Sequence, residues 1–125
     1  QPEISQEANA AVIFNPHLAP YKRGLLATVT LQLKADVTAS QVDAAFNQAY
    51  NDKPVVRIVK AWPQIANVAH TPFADIHWQV DEEKHVVVVS CAIDNLLKGA
   101  SSQAIQCFNI SLGLPSEYSL LANKA

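Results

Sequence analysis

The sequence predicts an α+β domain: a mostly antiparallel or mixed sheet with helices packed on one face. Three observations carry that prediction. Two stretches alternate apolar and polar residues with the period of a half-buried strand. Leu25, Ala27, Val29, Leu31 and Leu33 stand against Thr28, Thr30, Gln32 and Lys34, and Ile76, Trp78 and Val80 stand against Asp75, His77, Gln79 and Asp81. Val86-Val87-Val88-Val89 has no polar partner face, the pattern of a strand in the middle of a covered sheet. Between and after these strands, two stretches repeat apolar residues with helical spacing.

Taken in order, Pro2 to Asn9 suits a short first helix, with proline where no amide hydrogen is needed and Glu3 near the positive end of the dipole. Ala10 to Phe14 turns apolar and extended, and Pro16 and Pro20 bracket His17-Leu18-Ala19 as an irregular, ordered segment. The long alternating strand opens at Gly24. Residues Val37 to Val42 then hold a full helix start, in which Thr38 caps, Gln41 reaches back and Val37 staples onto Val42. Val42, Ala45, Phe46, Ala49 and Tyr50 form the face that lies on a sheet, and Asn51-Asp52-Lys53-Pro54 ends the helix. Val55 to Val59 reads as a short strand, Ala61 to Gln64 as a loop, and Ile65 to His70 as another short extended piece.

Asp81-Glu82-Glu83-Lys84 turns the next strand into the one from Val86 to Ala92, an antiparallel hairpin whose clustered turn carboxylates read as solvated. The exit of that second strand lies inside the molecule. There Asp94 and Asn95 both have the short side-chain oxygen that accepts an unpaired amide proton of a first helical turn. The last helix, from about 96 to 109, places Leu97, Ala100, Ala104 and Phe108 on one stripe, with Gly113 as its end and residues 114–118 as a tail.

A chain of 125 residues is one domain's worth, 1–125, long enough to bury roughly two-thirds of its unfolded surface. Only 16% of the residues are charged, against about a quarter in an average domain, so part of the outside is expected to meet another protein surface. The net charge of −2, with no basic cluster beyond Lys22-Arg23, argues against nucleic-acid and anionic-membrane partners. No apolar run reaches the about 20 residues that span a bilayer. Cys91 and Cys107 have no disulfide-type spacing, which points to reduced thiols and a cytoplasmic location. The chain opens on Gln1 and contains no methionine, and it is expected to be a piece of something longer.

The residues that carry chemistry leave alternatives open. Gly99-Ala100-Ser101-Ser102 weakens the start of the last helix, by about 1 kcal/mol at the glycine alone. Its small side chains permit either close helix–sheet packing or close approach of a ligand, with Asn95 offering a donor and an acceptor to an amide or phosphate. Arg23, at the mouth of the long strand, can fork onto a carboxylate or phosphate or stand as a solvated charge. His17 fits hydrogen-bonded loop structure or substrate contact. The four histidines show neither HExxH nor zinc spacing with the cysteines, so no metal site is expected. Free thiols in an apolar strand and a helix carry little thiolate, and no catalytic acid–base pair is visible.

Four ordered blocks resemble the C-terminal part of the N-acetyl-gamma-glutamyl-phosphate reductases. They are Gln1-Pro2-Glu3-Ile4, residues 16–28 from Pro16-His17-Leu18 through Lys22-Arg23-Gly24 to Thr28, Thr71-Pro72-Phe73-Ala74-Asp75-Ile76, and Asp94-Asn95-Leu96-Leu97-Lys98-Gly99-Ala100 with Gln103-Ala104. The departures are Ala74, where relatives often carry cysteine, and Ser102, where many have alanine or glycine. The resemblance implies a fold like the C-terminal domain of glyceraldehyde-3-phosphate and aspartate-semialdehyde dehydrogenases. It implies an NADPH-dependent enzyme of arginine biosynthesis that converts N-acetyl-glutamyl 5-phosphate to the semialdehyde through a cysteine thioester.

In that family the nucleophilic cysteine, the catalytic histidine and the dinucleotide-binding glycines lie upstream of these blocks. This chain is therefore expected to hold no catalytic residue and to be inactive alone, with its last helix packed against the missing nucleotide-binding domain. By the same resemblance, Asn95 and Gly99 are expected at the cofactor, NADP, and Arg23 and His17 at the substrate's phosphate or carboxylate. A homodimer or tetramer is expected. The alternative is a non-catalytic module that binds a small metabolite or pairs through its sheet.

Overall fold

The computed structural model describes residues 2–121; Gln1, the first residue of the first resemblance block, lies outside them. The chain runs α1 (Pro2–Ala8), β1 (Leu25–Gln32), α2 (Ala39–Tyr50), β2 (Val56–Ile58), α3 (Ile65–Val68), β3 (Ala74–Asp81), β4 (Val86–Ile93), a π-helical turn (Leu97–Ser101) and α4 (Ser102–Ser111). Four strands form one mixed sheet in the order β1-β4-β3-β2. β4 is antiparallel to both neighbours, and β2 is parallel to β3.

The expected hairpin is β3–β4. Asp81 accepts the Lys84 N–H at 3.0 Å and pairs with the Lys84 ammonium, and His85 takes the left-handed backbone that closes the turn. The turn does more than face water, because the Glu82 carboxylate accepts the Ala39 N–H at 2.8 Å and so ties it to the first turn of α2. The valine-rich β4 sits in the interior of the sheet, as its lack of a polar face required.

Register places Ile76, Trp78 and Val80 of β3 beside Cys91, Val89 and Val87 of β4, and those beside Ala27, Val29 and Leu31 of β1. On this face lies α2, whose Phe46 ring stacks on Trp78 at 4.4 Å while the Trp78 indole donates to Asp43 at 2.6 Å. The capping box is complete: Thr38 Oγ1 accepts the Gln41 N–H, and Gln41 Oε1 accepts the Thr38 N–H. The short α3 lies at one end of the opposite face. There Arg57 reaches the Asp75 carboxylate at 2.6 Å and the Asn67 carbonyl at 3.1 Å and covers the Phe73 ring. The core is small, built on Val42, Val55, Val68, Ala74, Ile76, Val87 and Ala92.

Three expectations are corrected. Residues 65–70 open with a helical turn instead of an extended piece; Ala69 N–H closes it onto the Ile65 carbonyl at 2.8 Å, burying Val68. So short an apolar run has no period that separates helix from strand. β1 forms where predicted, but neither of its faces is buried within one chain, because it is an edge strand beyond the reach of α2. Leu25, Leu26, Val29 and Leu31 are each close to half exposed.

The third correction is the last helix. It opens as a π turn, with Gly99 and Ser101 N–H groups bonded five residues back to the Asp94 and Leu96 carbonyls. After that turn α4 buries Ser102, Gln106 and Asn109, while the predicted stripe of Ala100, Ala104 and Phe108 faces out. Gly113 ends the helix with positive φ, as expected.

Candidate functional site

The site begins where β4 stops. Ile93 is paired with Leu25 on one side and Ala74 on the other, so the next residue leaves the sheet between the starts of β1 and β3. That residue, Asp94, is fully buried. Its Oδ1 accepts the N–H groups of Leu96 and Leu97, each at 2.8 Å, and Arg23 Nη2 at 3.0 Å. Its Oδ2 accepts Arg23 Nε at 3.0 Å and the His70 N–H at 2.7 Å. Burial alone would push this carboxyl up, but the His70 and Leu97 N–H groups, the Arg23 guanidinium and the Leu96 N–H outweigh it and hold Asp94 well below the usual carboxylate range. His70 sits in left-handed backbone, φ 63°, a conformation that costs a non-glycine residue about 1–2 kcal/mol and that its bond to Asp94 helps to hold.

Asn95 is held from the other side. Its Oδ1 accepts the Gly24 N–H at 2.7 Å, which fixes the amide flip and leaves the Nδ2 hydrogens as the group available to a ligand. Gly24 itself has φ 106°, and a Cβ there would lie 2.1 Å from Ile65 Cγ2, so only glycine lets β1 start this close to α3. A cleft of about 330 Å³ opens beside this bond, lined by His17, Leu18, Tyr21, Leu25, Leu26 and Asn95.

The structure thus brings His17 and Asn95 to one cleft. Arg23 is adjacent through Gly24 but is gripped by Asp94, with about a quarter of its side chain exposed. Gly99 is used inside the chain: a Cβ would meet the Asp94 carbonyl at 3.3 Å and Ile93 Cδ1 at 3.4 Å. Close packing is therefore one reason for the glycine, while Gly99 to Ser101 remain exposed beyond it.

Sequence reasoning treated Asp94 only as a cap and missed its ion pair with Arg23. Elsewhere, burial and the charge of Asp75 push the Cys91 thiol up, Lys98 only partly opposing them, so little nucleophilic thiolate forms. Among the described residues no group of three His, Cys, Asp or Glu side chains is arranged to hold a metal ion.

A mixed four-stranded sheet with helices chiefly on one face, an uncovered edge strand and a polar corner at the exit of its central strand defines the class. The chain belongs to the family described as semialdehyde dehydrogenase, dimerisation domain, which matches residues 1–95. Its curated relatives are N-acetyl-gamma-glutamyl-phosphate reductases. The chain is 52% identical to that of Alteromonas mediterranea over 120 residues, 96% of this chain and 36% of the relative. It is 56% identical to that of Vibrio parahaemolyticus over 97% of this chain and 36% of the relative, and 54% identical to that of Tolumonas auensis over 90% and 33%. The chain spans about a third of the length of the curated relatives it matches.

Proposed function

We propose that this chain is the substrate-binding and dimerisation part of an NADPH-dependent reductase that converts N-acetyl-glutamyl 5-phosphate to N-acetyl-glutamate 5-semialdehyde in the cytoplasm. The observation that carries the reading is the fixed amide of Asn95. With its oxygen bonded to the Gly24 N–H, it presents its two Nδ2 donors beside apolar walls at Leu25 and Leu26. A flat ring bearing a carboxamide fits that combination, its carbonyl oxygen accepting from Asn95 Nδ2. Bound there, NADPH supplies the hydride.

The chain's own residues orient and bind. Asn95 fixes the carboxamide end of the cofactor, and the exposed surface from Gly99 to Ser101 allows the nucleotide-binding domain to come close. Arg23 keeps its Nη1 edge free of Asp94 and takes the phosphate or carboxylate of the substrate, with His17, which lines the neighbouring cleft, as a second contact. The outward apolar residues of α4, Phe108 and Ile105, pack on the nucleotide-binding domain. The nucleophilic cysteine belongs to that domain, in keeping with the raised Cys91 thiol here. Two unpaired thiols suit a reducing compartment, and no described helix is long and apolar enough to cross a membrane.

The test is an assay of the chain alone and of the polypeptide that joins it to its nucleotide-binding domain. Only the joined form is expected to oxidise NADPH on addition of N-acetyl-glutamyl 5-phosphate. Tight NADPH binding by the chain alone, or no turnover by the joined form, contradicts the proposal.

A further inference from the structure

We infer that Asp94 is a positioning residue that sets the Arg23 guanidinium for the anionic group of the substrate, an inference that rests on the substrate reading of Arg23 given above. A helix cap needs one carboxylate oxygen, and here Oδ1 alone accepts the Leu96 and Leu97 N–H groups. The second oxygen has another use: Oδ2 is taken by Arg23 Nε and the His70 N–H. Because a guanidinium is planar, gripping its Nε–Nη2 edge with both carboxylate oxygens fixes the direction in which the Nη1 edge points. Asp94 has no exposed surface, so it cannot touch a ligand itself and acts only through the groups it holds.

The corner has a second consequence. Asp94 fixes Arg23 by its side chain and, through the Leu96 and Leu97 N–H groups, the backbone that follows Asn95. Asn95 in turn holds Gly24, the residue after Arg23. One buried carboxylate therefore sets the spacing between the proposed substrate contact and the proposed cofactor contact. Arg23 held this way recognises an anion by the direction of its remaining hydrogen bonds, since its charge is already balanced by Asp94.

The test is a double-mutant cycle in the joined, active reductase, with Asp94→Asn and Arg23→Ala made singly and together. Asp94→Asn keeps a cap acceptor but sets an NH₂ group against Arg23 Nε and the His70 N–H. It is expected to raise KM for the acyl phosphate roughly tenfold, as loss of a charge-assisted pair does, and to add nothing further once Arg23 is alanine. Independent, multiplying effects on KM, or no effect of Asp94→Asn, overturn the inference.

Should Asp94→Asn fail to fold, Arg23→Lys decides. A lysine has charge but no fork, so its KM is expected to match that of Arg23→Ala, and a lysine that restores KM overturns the positioning role. An unchanged KM in Arg23→Ala, with wild-type turnover intact, instead removes the substrate reading on which the inference depends.

Discussion

Gly24 carries two constraints at once: its N–H holds the Asn95 amide, and its missing Cβ leaves room for Ile65. Gly24→Ala is expected to destabilise the chain by about 2–3 kcal/mol, through overpacking and a positive φ, measured as a lowered urea midpoint. An unchanged midpoint would mean that β1 and α3 separate at little cost. Asp94 gives a pH prediction. Its folded pKa lies below the ordinary 3.8, so the unfolded chain takes up the proton first as pH falls. The stabilisation is whole above that value and is lost progressively below it, toward the folded pKa. Acid titration should show this limb in the wild type and a flatter one in Asp94→Asn. Asp94 was legible in the sequence as a cap, because capping is settled within three or four positions, whereas Asn95, read the same way, gives its oxygen to Gly24 instead of to the helix. Their partners Arg23 and Gly24 stand 71 residues earlier, and no local rule pairs them.

α2 was legible almost completely, since Thr38 and Gln41 write the capping box into four consecutive residues. Thr38→Ala should cost about 1 kcal/mol of stability, readable by thermal unfolding. A cost near zero would show that the Glu82 carboxylate at Ala39 can serve as the cap by itself. The two helices that departed from expectation did so for identifiable reasons. α3 is one turn long, too short to display a period. In α4 the π turn at 97–101 precedes the regular helix, and the face turned inward carries Ser102, Gln106 and Asn109. Nothing in the spacing of Leu97, Ala100, Ala104 and Phe108 announces that turn. Asn109 finds its partners in the tail, donating to the Ser116 and Tyr118 carbonyls, so the apolar stripe is free to meet another surface.

The low charge content suggested an outside that meets a partner, and the sheet offers an uncharged strip for it: opposite α2, Leu26, Thr28, Thr30 and Gln32 of β1 lie exposed beside Val86 and Val88. An open strip of sheet that carries no charge, in a family described as a dimerisation domain, is the surface we assign to self-association. Leu26→Asp should convert the assembly to monomers in analytical ultracentrifugation. A variant that sediments as the wild type places the interface elsewhere. The sequence predicted the sheet and its interior strand because β4 carries an apolar run with no polar face. It could not show that the edge strand is left bare, since a strand covered by a second subunit has the same alternation as one covered by its own helices.

The central claim, that the corner at Asn95 is the carboxamide end of a cofactor site, is tested most directly by NADPH titration of the joined reductase carrying Asn95→Asp. Aspartate keeps an acceptor for the Gly24 N–H but removes both donors. The account predicts NADPH affinity weakened roughly tenfold with the unfolding midpoint nearly unchanged. Wild-type affinity in that variant would contradict it.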